Sequence, residues 1–340
     1  MQGVDPAWLP DGAFRPIGTR RTLIRGSGSL VDTVRGEVAE ACARFGGAVV
    51  QEDPDLVLEL TGDDGGEAFS YGRRDGCTTV TASGARGLLY GFFHVVRLGE
   101  AAFLGDAELE YHGPELALRM LDHWDNVAVH PVMGQVERGY AGGSLFWADG
   151  RARGELGRVR RYGRLLAACG INAVAVNNVN VHTAEARLLT ERIGEVADIA
   201  GALRPYGIRT HLSVTFAAPV VLGGLETADP LAAEVREWWA GTADRVYTAI
   251  PDFGGFVVKA DSEGQPGPFA YGRSHADGAH LLAAALAPHG GTVHWRAFVY
   301  DHHQDWRDRT TDRARAAYDR ATTACARSAS VGQVWGISTG

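Results

Sequence analysis

One strand of a parallel sheet with a polar carboxyl end is predicted by Gly254-Gly-Phe-Val-Val-Lys-Ala-Asp-Ser-Glu263. Its centre, Phe256-Val-Val258, is continuously apolar, as expected of a strand buried on both faces. Lys259, Asp261 and Glu263 occupy every second position, so their side chains point the same way if the strand geometry persists. We therefore expect a cluster of charged groups where this strand ends.

Short apolar runs alternate with longer amphipathic segments in the sequence before and after this strand. Candidate strands lie at 116–122, 171–177, 209–216, 254–261 and 292–300. Helical patterns lie at 156–169, 184–206, 231–247, 275–287 and 307–320. Strands that alternate with helices indicate a parallel sheet, and polar residues at their ends are typical of an active-site rim. We predict an α/β fold, a (β/α)8-type TIM barrel of which about five βα units are present, with an open doubly wound sheet as the alternative.

Residues 1–112 have a different pattern, which predicts a small α+β domain. Strand-like runs at 22–24, 56–60 and 78–82 are interspersed with helical patterns at 31–45 and 85–97. We assign the partial barrel to 113–320. The last segment, 321–340, is rich in Ala, Ser, Thr and Gly and has neither a strand nor a helical period, so we interpret it as an aberrant tail.

Composition excludes several classes of function. The net charge of -8 and the pI of about 5.8 give no general attraction to nucleic acid or to anionic membrane surfaces. The four cysteines are widely spaced, no run of about 18 apolar residues occurs, and residues 1–16 lack the features of an export signal. We therefore expect a cytoplasmic protein without nucleic-acid or membrane partners.

The charged cluster suits acid–base chemistry on a glycosidic bond. Hydrolysis of such a bond needs one protonated carboxyl that donates to the leaving oxygen, and a second carboxylate that activates water or attacks. Asp261 would raise the pKa of Glu263 by like-charge repulsion, and Lys259 would lower the pKa of both, so the net direction is open. The alternative is that the three are rim charges paired with one another.

Two cations indicate an acidic ligand. Lys259 is the only lysine in a sequence whose other cationic side chains are arginines, which suggests a site that needs a compact ammonium charge. Arg296 interrupts an apolar strand, where its charge is costly unless it is paired or faces a polar cavity. A substrate carboxylate would satisfy both cations. The alternatives are a chance lysine and an internal pair of Arg296 with Asp261 or Asp301.

Side chains that could bind a sugar follow two other predicted strands. Trp124 could stack on an apolar sugar face, although core packing is equally ordinary for one tryptophan. Asn177, Asn178 and Asn180 could hydrogen-bond hydroxyl groups, because several amides at a strand end are poor core material.

Signals for a cofactor are weak. Gly26-Ser-Gly-Ser-Leu-Val31 lacks the third glycine of a dinucleotide-binding fingerprint. His302-His303, with Asp301 and Asp305 beside it, is not accompanied by a helix-spaced histidine pair, and a solvated loop explains it better than a metal site. We therefore expect neither an organic cofactor nor a metal.

Longer motifs, in order across residues 14–319, resemble the α-glucuronidases of glycoside hydrolase family 67. They include Arg119-Met-Leu-Asp-His-Trp-Asp-Asn126, Glu137-Arg-Gly-Tyr-Ala-Gly142, Arg204-Pro-Tyr-Gly-Ile208, Leu225-Glu-Thr-Ala-Asp-Pro230, the 250–268 block and Trp295-Arg-Ala-Phe-Val-Tyr300. The resemblance implies an inverting hydrolase that removes α-1,2-linked 4-O-methylglucuronic acid from xylo-oligosaccharides in xylan degradation, without a cofactor.

The resemblance also implies roles for individual residues. Glu263 matches the general acid, and Lys259 and Arg296 match positions that bind the uronate carboxylate. Trp124 and Asn178 match positions that line the sugar pocket. Because it lies between the lysine and the acid, Asp261 is also assigned to substrate binding.

The sequence departs from the family pattern after Asp319. There the resemblance leads us to expect further segments that carry the base carboxylates, and then a helical domain, and we find neither. We interpret the chain as truncated or frameshifted at its C-terminus, and we expect the homodimer of many relatives only if that domain were present. The alternative function is a non-catalytic uronate- or glycan-binding remnant or an inactive fragment.

Overall fold

The computed structural model describes residues 9–128, 143–262 and 264–297, and the backbone of Val334–Trp335. The chain forms two compact units. One comprises Met1–Met120, Glu155–Asn172 and Ala202–Ile208, and the other comprises Leu121–Gly154, Ala173–Gly201 and Arg209–Gly340. Each unit contains a sheet and several helices, so the predicted α/β class is confirmed.

The first unit is built on a six-stranded mixed sheet. Its strands are β1 (Arg21–Arg25), β2 (Ala48–Val49), β3 (Leu56–Leu60), β4 (Phe69–Arg74), β5 (Cys77–Ala82) and β6 (Ala107–His112). In the order β2-β1-β3-β5-β4-β6 the first four strands are parallel, and β4 pairs antiparallel with both of its neighbours. The helices of this unit are α1 (Arg15–Gly18), α2 (Ser29–Phe45), α3 (Ala85–Leu98) and α4 (Gly157–Ala168).

Helix α3 lies very close to this sheet. It buries most of its apolar side chains, among them Leu88, Leu89, Phe92, Phe93, Val95 and Val96. A Cβ atom at Gly91 would lie 2.4 Å from Cγ1 of Val80, and one at Gly87 would lie 2.2 Å from the carbonyl oxygen of Ala68. Both distances are too short for any side chain, so the two glycines permit the approach.

The second unit contains a six-stranded sheet and a small hairpin. Its strands are β7 (Met120–Asp122), β8 (Trp147–Ala148), β9 (Arg151–Ala152), β10 (Ala173–Ala175), β11 (Arg209–Ser213), β12 (Gly255–Ala260), β13 (Thr292–Ala297) and β14 (Val334–Trp335). The sheet order is β14-β13-β12-β11-β10-β7, and every pairing from β10 to β14 is parallel. Strands β8 and β9 form the hairpin.

Helices follow most strands of the second sheet. They are α5 (Thr183–Ala186), α6 (Ile193–Leu203), α7 (Ala218–Val221), α8 (Ala233–Ala249) and α9 (His275–Leu286). Helix α9 begins with a capping box, in which Ser274 and Asp277 each accept a hydrogen bond from the other's backbone N–H. Short 3-10 turns lie at Asp11–Phe14, Gly99–Phe103, Arg187–Leu189, Arg204–Tyr206, Pro268–Tyr271 and Ala287–His289.

Strand register sorts the side chains of β10 to β13 onto two different faces, because paired residues of parallel strands point the same way. One face is mainly apolar and carries Val174, Leu212, Phe256, Val258, Val293 and Trp295. The other face is polar and carries His211, Ser213, Lys259, Thr292, His294 and Arg296. The predicted site residues on these strands therefore share the polar face.

Predicted element positions agree with the structure at the centres of the elements and differ at their ends. Strand 56–60 has the predicted bounds, whereas 209–216 ends at Ser213 and 171–177 is reduced to Ala173–Ala175. The single helix predicted at 184–206 is α5 and α6, because the chain leaves helical geometry at Thr190. The helix predicted at 307–320 lies outside the described residues.

Candidate functional site

Lys259 is buried at the polar end of β12. Its side chain is only 2% exposed, and its Nζ donates a hydrogen bond of 2.7 Å to Oδ1 of Asn180. An ammonium group out of water is costly unless acceptors or an anion surround it. Asn180 supplies one such acceptor, and a ligand carboxylate would be a further favourable partner.

Arg296 is the direct neighbour of Lys259 on the next strand. The two residues are register partners of β12 and β13, so both side chains project from the polar face. Arg296 is half-buried, and its charge acts on Asp122, the last residue of β7. The two cations predicted to bind a carboxylate are therefore brought together.

Asp122 is a titratable group of this site that the sequence did not single out. Solvent reaches its side chain, yet the surrounding protein displaces enough water to raise the pKa of Asp122 to about 6, while Arg296 opposes this rise. Near neutral pH the carboxyl therefore changes between a neutral form and an anion that partly neutralises Arg296.

The three asparagines after β10 have different roles. Nδ2 of Asn177 donates to the carbonyl of Ser213 at 3.0 Å, and its Oδ1 accepts the Ser213 N–H at 2.9 Å. This amide therefore connects the end of β10 to β11, and its expected contact with a sugar hydroxyl stays a prediction. Asn178 is fully buried and its Oδ1 accepts the N–H of Asn180 at 2.9 Å, which holds Asn180 towards Lys259.

Asp261 departs from the predicted alternation. The strand ends at Ala260, and Asp261 has a φ of 52°, a left-handed conformation that turns its side chain away from the period-two pattern. Its Oδ2 accepts the N–H of Phe269 at 3.2 Å and lies 3.9 Å from Nδ1 of His275. The expected common direction of Lys259 and Asp261 is therefore wrong, and Asp261 closes the loop that follows.

Glu263, the predicted acid, lies outside the described residues. Two residues that flank it are hydrogen-bonded to each other: the N–H of Gln265 donates to the carbonyl of Ser262 at 2.9 Å. Asp301, a predicted alternative partner of Arg296, also lies outside the described residues.

Trp124 follows β7 and is 38% exposed, whereas the adjacent Asp125 and Asn126 are buried. An exposed indole at a strand end can stack on a sugar ring, and its predicted role stays a prediction. The described residues contain no group of three or more His, Cys, Asp or Glu side chains that could hold a metal ion. Within the same residues, no helix is long and apolar enough to span a membrane.

Two buried histidines on the polar face were missed. The rings of His211 and His294 lie 5.1 Å apart, and Oγ1 of Thr292 lies 3.5 Å and 3.3 Å from their Nε2 atoms. Burial is the main reason that the pKa of His211 is well below its usual value and that of His294 is lowered to about 4. The polar residues at alternate positions of β11 and β13 could have revealed this pair.

Comparison with known proteins places these features in a family. The pattern of the glycosyl hydrolase family 67 middle domain matches residues 103–325. Alpha-glucuronidase A of Emericella nidulans is 43% identical over 319 residues, which is 92% of this chain and 36% of that protein. The alpha-glucuronidase of Hypocrea jecorina is 44% identical over 258 residues, which is 74% of this chain and 30% of that protein. The chain thus spans about a third of the length of these relatives.

Solved structures share the fold at low sequence identity. The N-acetyl-beta-hexosaminidase of Streptomyces plicatus superposes with a TM-score of 0.55 at 15% identity, over 93% of this chain and 70% of that one. At this identity the likeness shows the fold alone.

Proposed function

The chain belongs to glycoside hydrolase family 67, and from this we propose that it provides the uronate-binding part of an α-glucuronidase acting on glucuronic-acid-bearing xylo-oligosaccharides. One observation carries the proposal: the single lysine of the sequence is buried beside Arg296 on the polar face of a parallel sheet. Two adjacent cations at a strand end suit a sugar carboxylate better than a neutral sugar.

The proposed chemistry divides the reaction among these residues. Lys259 and Arg296 bind the uronate carboxylate, and Trp124 stacks on a sugar ring while Asn178 lines the pocket. Glu263 donates its proton to the oxygen of the leaving xylose as the glycosidic bond breaks. Inversion also requires a second carboxylate that takes a proton from the attacking water, and we assign that role to none of the described residues.

Asp261 has a supporting role in this proposal. Its carboxylate accepts the Phe269 N–H and so closes the loop that contains Glu263. We therefore propose that Asp261 orders this loop, in place of the direct sugar contact that its sequence position predicted.

The finer architecture is part of the same proposal. The parallel order of β10 to β13, with helices between them, supports a partial (β/α)8 barrel of about five βα units in 113–320, preceded by an α+β domain at 1–112. The tail at 321–340 follows it and, contrary to the expectation of no strand there, contains β14, which pairs with β13. The cytoplasmic location and the conditional homodimer stay predictions.

Calorimetric titration of the chain with glucuronate tests the binding step. We expect Lys259→Met, which keeps most of the length of the side chain and removes its charge, to weaken binding by at least about tenfold. Arg273→Gln is the matched control, because Arg273 lies outside strands β10 to β13 and pairs with Asp229. This variant should bind glucuronate as well as the unmodified chain does. Equal affinities for Lys259→Met and the control would refute the assignment.

Release of 4-O-methylglucuronate from aldouronic acids tests the chemical step. If the chain turns over these substrates, Glu263→Gln should abolish product release while leaving glucuronate binding within about twofold. Binding without release would support the non-catalytic alternative. Turnover that survives Glu263→Gln would contradict the role of Glu263.

A further inference from the structure

The first unit contains a cavity of about 170 Å³ that is separate from the residues discussed above. Its walls include Phe69 of β4, His94 and Arg97 of α3, His112 of β6, and Cys169. Sites for drug-sized ligands begin at roughly 300 Å³, so an occupant of this cavity would be small.

Two imidazoles and a guanidinium meet in this cavity. The ring centroids of His94 and His112 are 4.5 Å apart, and the ring of Phe69 stacks on His112 at 4.9 Å. Nη2 of Arg97 lies 3.5 Å from Nδ1 of His94. Three groups that are or can become cationic therefore face one small space, with an aromatic ring that packs on the imidazoles. Two carboxylates are also close: Glu67 lines the cavity, and Nε2 of His112 lies 3.5 Å from a carboxylate oxygen of Glu110.

Arg97 differs from the other arginines near this cavity in its partners. Arg86 and Arg119 both pair with Glu67, at 2.8 Å and 2.7 Å. Arg97 instead donates to the carbonyl of Ala168 at 2.7 Å, and among the residues that the structure describes it has no carboxylate partner. Its positive charge is therefore not neutralised within the described part of the first unit.

We propose that this cavity binds a small organic carboxylate between Arg97 and the His94–His112 pair. A guanidinium offers two parallel N–H groups that match a carboxylate, and protonated imidazoles add donors to the same anion. The cavity has room for a carboxylic acid of a few carbons or a single acidic sugar ring. This inference rests on the geometry of the first unit and not on the proposed hydrolysis.

Binding at this cavity should depend on pH. Burial first, and then the charges of His112 and Arg97, lower the pKa of His94 to about 4, while Glu110 opposes them. A bound carboxylate would raise that pKa, so by linkage affinity should increase as the pH falls below about 6.5, for as long as the ligand itself stays ionised. The other titratable groups that face the cavity or contact His94 are Glu67, Tyr71, Tyr90, Arg119 and Cys169.

Histidine NMR signals during titration with acetate, glucuronate, inorganic phosphate and neutral glucose test this proposal. We expect acetate and glucuronate to shift the signals of His94 and His112 at pH 5.5 more than at pH 7.5, and glucose to leave them unchanged. Arg97→Gln should weaken the effect by at least about tenfold. Arg74→Gln, an exposed arginine on the same sheet that does not line the cavity, is the matched control.

Three results would overturn the proposal: unchanged histidine signals, equal effects in Arg97→Gln and Arg74→Gln, or tighter binding of phosphate than of either carboxylate. Lys259→Met separates this cavity from the proposed uronate site, because it should leave the His94 response intact. Alkylation of Cys169, an exposed thiol in the cavity wall, gives an independent readout. Acetate should slow its reaction with iodoacetamide in the unmodified chain and not in Arg97→Gln.

Discussion

Lys259 is an ionisable side chain that is almost completely buried, which is uncommon for a lysine. Its Nζ donates a hydrogen bond to Oδ1 of Asn180. A site of this kind favours an anion over a neutral ligand of the same shape, because the anion also lowers the cost of keeping the ammonium out of water. Specificity for an acidic sugar would then follow from the burial itself.

Asp122 should make uronate binding weaker as the pH rises. With a pKa of about 6, the carboxyl is mostly neutral at pH 5 and mostly ionised at pH 7, where it competes with the ligand for Arg296. We expect the affinity for glucuronate to fall by about tenfold at most across this range. Calorimetric titration at several pH values measures the change.

Asp122→Asn is the diagnostic variant for this competition. The amide keeps the shape of the side chain and cannot ionise, so affinity should stay nearly constant between pH 5 and pH 7. An unaltered pH dependence in the variant would show that another group causes it.

At the residue scale, the sequence predicted which cations would meet but not how they are held. Lys259 and Arg296 could be placed together because both occupy late positions in predicted parallel strands. The contact with Asn180 depends on the turn after β10, and the direction of Asp261 depends on one left-handed residue. Neither conformation follows from a period-two pattern.

In the first unit, helix α3 packs on the sheet through apolar side chains and also through a close approach of its backbone. Gly87 and Gly91 put α3 against the sheet at distances that leave no room for a methyl group. In an isolated helix both glycines would be unfavourable relative to alanine. Here tertiary contact outweighs helix propensity.

Gly91→Ala should destabilise the protein. Its new Cβ would lie 2.4 Å from Val80 and 3.1 Å from the ring of Phe69, and relieving this overlap should reduce the free energy of unfolding by about 1–3 kcal/mol. Gly36→Ala is the matched control in α2, where nothing lies within 4 Å of the new methyl group. That change should stabilise by about 0.5–1 kcal/mol. Urea denaturation of both variants measures the difference, and effects of the same sign would contradict the packing argument.

At the element scale, the predicted helices and strands agree with the structure where apolar residues recur with a clear period. They were missed where that period is weak. The run at 56–60 is apolar at alternate positions and was placed with its observed bounds. Strands β4 and β6 were both missed. Strand β6 has no buried residue and is paired with β4 alone, so it has no apolar period to predict it. A sequence pattern reports burial more directly than it reports pairing.

At the scale of the whole molecule, buried histidines make the free energy of unfolding depend on pH in the acid range. His94 and His294 both have a pKa lowered to about 4, and that of His211 is also well below its usual value. Each of these rings therefore binds more protons in the unfolded chain than in the folded chain between about pH 4 and pH 6.5, so their contribution to stability falls as the pH falls through this window. The raised pKa of Asp122 contributes with the opposite sign below about pH 6. Above it all three are neutral in both states and contribute no pH dependence.

His294→Gln should flatten this dependence. Taken alone, the buried ring accounts for a loss of about 3 kcal/mol between pH 6.5 and pH 4, so the variant should lose correspondingly less stability on acidification, whatever its stability at pH 7. His289→Gln, at a partly exposed histidine that pairs with Asp244, is the control and should retain the full slope. Chemical denaturation at four pH values measures the slopes, and parallel lines for the two variants would rule out His294 as the cause.

Because the only lysine of the sequence is buried, its chemical modification can be used to measure local unfolding of this protein. An amine-selective acylating reagent has one side-chain target in the sequence, and the folded chain keeps that target from solvent. Acylation at position 259 should therefore proceed only through transient openings of the second sheet, and its rate gives the free energy of those openings. A carboxylate ligand that bridges Lys259 and Arg296 would suppress the acylation. The rate measured by mass spectrometry would therefore report the stability of the second sheet without ligand and the occupancy of the proposed uronate site with ligand.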